Sequence, residues 1–175
     1  KVGDTDIRVS KLCVGCMSFG KAGTMHDWTL DEKLVNKALE LGINFFDTAN
    51  CYSLGTSEEY LGRAIRKYAK REEVVLASKV YFNEGRLSKQ AIRREIDGTL
   101  KRLGTDYLDL YIIHRFDYET PVEETMEALD SLVKDGKVRA LGASAMYGYQ
   151  FYNMQMAAEK NGFTKFSAME NHYNL

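Results

Sequence analysis

The sequence predicts an α/β fold in which helices cover a parallel sheet, and two observations lead to this prediction. Apolar runs typical of buried strands alternate with amphipathic helical segments along the chain. The runs also recur about every thirty residues, which is the length of a β-α-β unit. The six predicted strands lie at residues 12–15, 43–47, 74–78, 108–113, 138–144 and 166–170.

The first two helices follow from periodicity and from residues typical of helix ends. The first ends at Gly42, and its apolar face is expected at three positions about one or two turns apart: Leu34, Ala38 and Leu41. The second opens at Thr56, which with Glu59 three residues later has the spacing of a capping box.

The remaining helices show the same kinds of signal. The third ends at Gly104 and has one apolar stripe: Ile92, Ile96, Leu100 and Leu103. In the fourth, Thr120 is the expected N-cap, Pro121 the first helical residue and Glu123 the partner in a capping box. The fifth ends at Gly162.

Two architectures contain such alternation, a doubly wound open sheet and a (β/α) barrel. Neither G-x-G-x-x-G nor G-x-x-x-x-G-K-[ST] follows a predicted strand, and the repeats are even in length, so the barrel is favoured. A (β/α)8 TIM barrel closes with eight strands. We therefore expect residues 1–175 to form a single-domain partial barrel that supplies about the first six strands and ends before the last ones. The alternative is an open sheet with two unpaired edges.

Composition excludes several classes of partner. The 175 residues are 45% hydrophobic and 28% charged, and 24 Lys plus Arg against 25 Asp plus Glu give a net charge of -1. This balance gives no sign of the basic face that nucleic acid or an anionic membrane would need. No apolar run is long enough to span a bilayer, and the polar start is no signal peptide. We expect a cytoplasmic protein without membrane insertion, and its state as a monomer or homo-oligomer stays open.

The three cysteines are Cys13, Cys16 and Cys51. The first two have C-x-x-C spacing, which would fit a redox pair or half of a zinc site. No second pair of matching ligands follows. We interpret all three as small buried residues in a reducing compartment and expect no metal.

Polar residues stand where the predicted strands end, and four of them form a chemically coherent set: Asp47, Tyr52, Lys79 and His114. Singly, each has an ordinary explanation, such as an Asx turn for the acid or packing for the phenol. Together they meet at the carboxyl-end rim, where barrels of this type carry their active sites.

This set suits proton delivery by a phenol. Tyrosine has a pKa of about 10, and a nearby ammonium is expected to lower it. Asp47 would hold Lys79 in place, while His114 would orient a carbonyl oxygen. Carbonyl reduction also needs a reductant. The sequence shows no flavin or metal pattern, so a bound nicotinamide that donates hydride is the natural candidate.

Several segments resemble the aldo-keto reductase family. "FFDTANCYSLGTSEEYLGRAI", "LASKV", "YIIHRFD" and "KVRALGAS" are similar to the segments that carry its Asp and Tyr, its Lys, its His and its fifth strand. The opening "VGDTDIRVSKLCVGCMSFG" is similar to its bottom hairpin and first strand. The resemblance covers the chain in order and is nearest to the bacterial and fungal aryl-alcohol dehydrogenase-like branch.

The resemblance implies NAD(P)H-dependent reduction of aldehyde or ketone carbonyls to alcohols. NADP(H) is the expected cofactor and NAD(H) the alternative. Asp47, Tyr52, Lys79 and His114 would be the catalytic tetrad, with Tyr52 as the acid. The implied cofactor-binding residues are Gly15, Cys16, Met17, Asp47, Ser144 and Glu170. Trp28 and Tyr81 are weaker candidates for the substrate wall, for which ordinary aromatic packing is an equally good interpretation.

Two positions depart from the family pattern. Ala145 stands where the family usually has Asn after the serine, and Glu170 stands where its sixth strand usually supplies Gln. A carboxylate accepts a hydrogen bond from a carboxamide NH2 but, when ionised, cannot donate one to its oxygen.

Two other functions stay open at this point. Some relatives of this family are nucleotide-binding accessory subunits of membrane channels, and an intact tetrad does not exclude such a regulatory role. The residues would also suit an inactive half-barrel fragment, because the resemblance places the phosphate-binding part of the cofactor site beyond the sixth strand.

Overall fold

A computed structural model describes residues 1–21 and 28–173, and in it six parallel strands form one curled sheet, a half-barrel. The strands pair in chain order: β1 (Cys13–Gly15), β2 (Phe45–Asp47), β3 (Val75–Val80), β4 (Leu108–Ile113), β5 (Val138–Ser144) and β6 (Phe166–Glu170). The helices between them are α1 (Trp28–Glu40), α2 (Thr56–Tyr68), α3 (Lys89–Leu103), α4 (Val122–Lys134) and α5 (Gly148–Asn161). The predicted α/β class and strand order are confirmed.

The central strands are buried on both faces, which is why they are continuous apolar runs. All six residues of β3 and all six of β4 are buried. The outer face packs against the helices in the main core, whereas the inner face has a smaller apolar cluster. The chain's first turn, closed by the Val2 amide donating to the Ile7 carbonyl at 3.0 Å, adds Val2 and Ile7 to that inner cluster. The amino end of the half-barrel is thereby covered, and the carboxyl end is left for chemistry.

The predicted inner face of α1 is right for Ala38 and wrong for the two leucines. Leu34 and Leu41 are exposed, and the buried positions are Asp31, Val35 and Ala38. The helix turns this face inward because Asp31 accepts a hydrogen bond from the amide of Gly20 at 3.0 Å. A buried carboxylate with a backbone partner is tolerated in a core, so the polar residue takes a place that the pattern gave to leucine.

The two predicted capping boxes are also wrong. α2 has Gly55 as its N-cap, and the hydroxyl of Thr56 donates to the Ser53 carbonyl at 2.7 Å. α4 begins after Pro121, and the hydroxyl of Thr120 donates to Asp117 at 2.7 Å. Both threonine hydroxyls donate to the preceding loop, so neither threonine accepts a hydrogen bond from an amide of the first helical turn.

α3 agrees with its prediction. Its four predicted apolar residues are buried, and it ends at Gly104 in the left-handed region with φ 67°. A cap from Ser88, which accepts from the amide of Ala91 at 3.3 Å, fixes its start. α5 ends as predicted at Gly162. Within residues 1–21 and 28–173 no helix has both the length and the apolar character that crossing a membrane would demand.

Candidate active site

Lys79, near the carboxyl end of β3, is the centre of the site. Its side chain is 1% exposed, and its ammonium group donates to the carboxylate of Asp47 and, at 3.1 Å, to the carbonyl of Thr48. A buried ammonium requires such partners, because leaving it unpaired away from water is costly. Asp47 is at the end of the neighbouring strand β2, so the parallel register brings the two side chains together.

Tyr52 lies beside this ion pair on the short 3-10 turn Tyr52–Gly55 that follows β2. Its hydroxyl oxygen is 3.4 Å from the ammonium nitrogen of Lys79, which is 5.1 Å from the centre of the phenol ring. Burial raises the pKa of Tyr52 above its ordinary value, whereas Lys79 acts in the lowering direction and Asp47 adds to the rise. The lysine has the predicted sign, but the predicted net lowering is wrong because burial outweighs it. The phenol is protonated at neutral pH.

The turn that carries Tyr52 is held in an uncommon backbone conformation. Ser53 and Leu54 both have positive φ, 50° and 55°, which residues other than glycine adopt rarely. The hydroxyl of Ser53 donates to the carbonyl of Phe19 at 2.6 Å and thereby ties the turn to the segment after β1. Asn50, just before the turn, donates to Asn83 at 3.1 Å and so ties it to the loop after β3. These anchors fix the phenol relative to Lys79.

His114 follows β4 and completes the cluster. Its ring is half-buried and meets the ring of Tyr52 edge-on, with 5.7 Å between the ring centres. Burial, together with the positive charges of Lys79 and Arg115, lowers the pKa of His114 to about 4. The imidazole is therefore neutral at pH 7 and has one N–H with which to bind an oxygen.

Sequence reasoning missed two neighbours of this histidine. The sulfur of Cys51 is 3.9 Å from Nδ1 of His114, and the ring of Phe82 meets the imidazole edge-on at 5.0 Å between centres. Both follow strand ends directly, next to Tyr52 and to β3 respectively, so the position of each in the sequence was the available signal. Cys51 is half-buried, so the prediction of a buried cysteine is met there only in part.

Glu170, the last residue of β6, brings a second carboxylate to Lys79. Its oxygen is 3.7 Å from the ammonium nitrogen, and its side chain is 51% exposed. Burial raises the pKa of Asp47 to about 6, with Lys79 opposing the rise and Glu170 adding to it. Burial would lower the pKa of Lys79, but the two carboxylates outweigh it and raise the pKa above its ordinary value.

A cavity of about 400 Å³ opens on the inner face of the sheet next to this cluster. Gly15, Asp47 and Glu170 line it, and no atom of the described residues outside the neighbouring chain segment lies within 4 Å of where a Cβ on Gly15 would be. One carboxylate oxygen of Asp47 is buried without a hydrogen-bond partner among the described residues. Open space beside Gly15 and the half-exposed carboxylate of Glu170, which accepts hydrogen bonds, fit a planar group with N–H donors, such as a nicotinamide carboxamide.

The other expected cofactor residues are placed differently. Cys16 is fully buried in the core between sheet and helices, because alternation along β1 turns Cys13 and Gly15, but not Cys16, toward the cavity. Its side chain therefore does not line the cleft. Met17 is 68% exposed. Ser144 is buried at the end of β5, in register with Glu170.

A second cavity, of about 570 Å³, lies on the same rim over the ends of β3 to β6. Tyr81 lines it together with Arg115 and Phe116, which places Tyr81 beside the loop that carries His114. Trp28 is elsewhere. It packs at the start of α1 against Tyr60 of α2, 5.3 Å between ring centres, so the structure does not bring it to the tetrad.

The cysteine pair makes no metal centre with the described part of the chain, where no cluster of three or more His, Cys, Asp or Glu side chains is arranged for one. Cys13 is exposed and Cys16 is buried. The prediction of three buried cysteines is wrong for Cys13, whose strand position turns it toward the open inner face.

Known proteins resemble this chain over nearly all of its residues. Aldo-keto reductase AMT2 of Alternaria alternata is 40% identical, with 100% of this chain and 57% of the relative aligned. Versiconal hemiacetal acetate reductase of Aspergillus parasiticus is 39% identical, covering 100% of this chain and 59% of its own length. An aryl-alcohol dehydrogenase-like protein of Schizosaccharomyces pombe is 40% identical over 99% of this chain and 59% of its own length.

The chain thus spans less than two thirds of the length of these curated relatives. The model of the Aldo/keto reductase family matches residues 11–175. The predicted resemblance, including its fungal aryl-alcohol dehydrogenase-like branch, is confirmed, and the chain belongs to the aldo/keto reductase family.

Proposed function

We propose that the protein containing this chain is an oxidoreductase that reduces aldehyde or ketone carbonyls to alcohols with a nicotinamide cofactor. The observation that carries the proposal is the 3.4 Å approach of the Tyr52 hydroxyl to the buried ammonium of Lys79. A protonated phenol beside a fixed positive charge can donate its proton, because the positive charge stabilises the phenolate that forms. The family of the chain supports the oxidoreductase class.

Each side chain has one task in this proposal. The cofactor would supply a hydride to the carbonyl carbon. Tyr52 gives its proton to the carbonyl oxygen, and Lys79 stabilises the phenolate that results. His114, neutral at pH 7, donates its single N–H to the same oxygen and orients it. Asp47 keeps Lys79 charged and in place.

The proposal extends to the cofactor and to the class of substrate. Gly15, Asp47, Ser144 and Glu170 are the proposed contacts of the nicotinamide end, and NADP(H) is proposed in preference to NAD(H). The relatives named above as reductases support a small carbonyl compound as substrate. The aromatic rim around Tyr81 would suit an aryl aldehyde or ketone. A cytoplasmic location belongs to the proposal.

The test is Tyr52→Phe in the intact protein, which removes one oxygen and keeps the ring. We expect kcat to fall by roughly 10²- to 10⁴-fold, the usual contribution of a positioned general acid. The dissociation constant for NADPH should stay nearly unchanged. Tyr152→Phe is the matched control, because that phenol is 62% exposed on α5. Near-normal turnover of Tyr52→Phe would remove the phenol from the mechanism.

A further inference from the structure

The charges around Lys79 do not balance. Asp47 and Glu170 both approach its ammonium group, Asp47 in direct contact and Glu170 at 3.7 Å. Glu170 forms no other ion pair within residues 1–21 and 28–173. One cation therefore serves two carboxylates, and the cluster carries one negative charge in excess at neutral pH.

The remaining titratable groups next to the cavity do not cancel this charge. Tyr52 is neutral at pH 7, since burial raises its pKa, and the thiol of Cys13 is neutral there because thiols ordinarily have a pKa of about 8.5. His114 is neutral because burial lowers its pKa. Arg115 is a cation on the β4 side, but it lines the second cavity, with its guanidinium carbon 5.7 Å from the centre of the Phe82 ring.

The excess charge faces the cavity in which the nicotinamide is proposed to bind. Asp47 and Glu170 line that cavity from β2 and β6, on its two sides, and Cys13 and Gly15 line it from β1. A nicotinamide ring is neutral in the reduced cofactor and carries a positive charge in the oxidised one. The two forms are otherwise nearly the same in shape, so a local negative charge discriminates between them.

We propose that Glu170 makes this site prefer the oxidised, positively charged nicotinamide over the reduced, neutral form. The inference rests on the proposed function, because it takes a nicotinamide cofactor as the ligand of the cavity. Glu170 is thus a specificity-determining residue for the redox state of the cofactor. With Gln at this position, the cluster of Asp47 and Lys79 would be neutral.

The expected effect is modest. The Glu170 side chain is half exposed, so its field is weakened by water and by salt. At the dielectric constant of water, a charge a few ångströms away changes an affinity by roughly three- to fivefold. The ratio of the dissociation constants for NADPH and NADP⁺ should therefore fall by that factor in Glu170→Gln.

The experiment measures both dissociation constants by calorimetry at pH 8, above the pKa of about 6 of Asp47, with the intact protein and three variants. Glu170→Gln removes the charge, and Glu170→Asp keeps it. Glu159→Gln is the matched control, since Glu159 pairs with Lys165 on the surface. The ratio should fall in Glu170→Gln alone. It should also fall in the wild-type protein as ionic strength rises, which tests the inference even if Glu170→Gln does not fold.

Several results would overturn the inference. These are an unchanged ratio in Glu170→Gln, an equal fall in Glu159→Gln, a wild-type ratio independent of salt, or no binding of either nucleotide. Carbonyl reduction measured on the same samples separates the two proposals. Turnover without the shift in ratio refutes only the role of Glu170, whereas the shift without turnover refutes the reductase function.

Discussion

Gly62 allows α2 to lie directly against the end of α3. A Cβ added at Gly62 would be 2.1 Å from the carbonyl oxygen of Leu103 and 2.6 Å from its Cα, both backbone atoms that cannot rotate away. Gly98, inside α3, is different. A Cβ there would meet only the far end of a side chain, Nη1 of Arg102 at 2.9 Å, and no backbone atom of another segment. The same substitution, Gly→Ala, should therefore have opposite effects at two helical positions.

Two effects determine how much each substitution changes the free energy of unfolding. Alanine is better than glycine in a helix interior by about 1 kcal/mol, and this gain applies at both sites. Overpacking a rigid contact costs about 1–3 kcal/mol, and a contact of 2.1 Å against backbone places Gly62 at the upper end. We expect Gly62→Ala to lower the free energy of unfolding by about 2 kcal/mol, and Gly98→Ala to raise it by up to about 1 kcal/mol.

Urea unfolding followed by circular dichroism measures both changes, provided that the slope with denaturant stays constant. α2 begins immediately after the turn that carries Tyr52, so a displaced α2 should also lower kcat in Gly62→Ala. If Gly62→Ala is as stable as Gly98→Ala, the close approach of α2 and α3 is not as described, and the reasoning fails.

Three further predictions test the site by other means. Lys79→Met should lower the free energy of unfolding by about 3–5 kcal/mol, because it leaves Asp47 buried without its counter-ion. The control Lys165→Met, on the surface, should change the free energy of unfolding by less than about 1 kcal/mol in the same urea assay. The imidazole of His114 should titrate near pH 4 when followed by NMR. Its pKa is lower in the folded protein than in the unfolded chain, so the unfolded chain binds the proton first and the free energy of unfolding should decrease as pH falls from 6.5 toward 4. A titration midpoint near pH 6.5 would contradict the burial of His114. Ala145→Asn should raise the free energy of unfolding by up to about 1 kcal/mol, because Ala145 has φ 46°, a region that asparagine tolerates better. An unchanged free energy of unfolding would mean that this residue is not strained.

The sequence predicted the strand order and the tetrad because these depend on local patterns. β4 is buried on both faces, so its apolar run predicts it within its exact bounds. Asp47, Lys79 and His114 lie at or next to the carboxyl ends of their strands, and parallel pairing brings such ends to one edge. No long-range information was needed for this convergence.

The errors lie where a residue has a choice of partners. Asp31 is buried and Leu34 is exposed because the backbone amide of Gly20, in another segment, donates a hydrogen bond to Asp31. Periodicity along the helix cannot show such a partner. The sequence pattern predicts Thr56 as an N-cap, but its hydroxyl donates to the carbonyl of Ser53 instead. The sign of the Tyr52 pKa shift was missed for a similar reason, since burial depends on the whole fold whereas the neighbouring lysine is visible as a motif.

The backbone of the Tyr52 turn has a consequence for protein engineering. Ser53 and Leu54 both occupy the left-handed region, and Leu54 is 92% exposed, so little packing would be lost if it were replaced. A screen for thermostability should therefore select glycine or asparagine at Leu54 early, because relief of backbone strain adds stability. The same relief would give the phenol more conformations next to Lys79. Variants from such a screen should be ranked by turnover as well as by melting temperature, since this turn is where the two properties are most directly opposed.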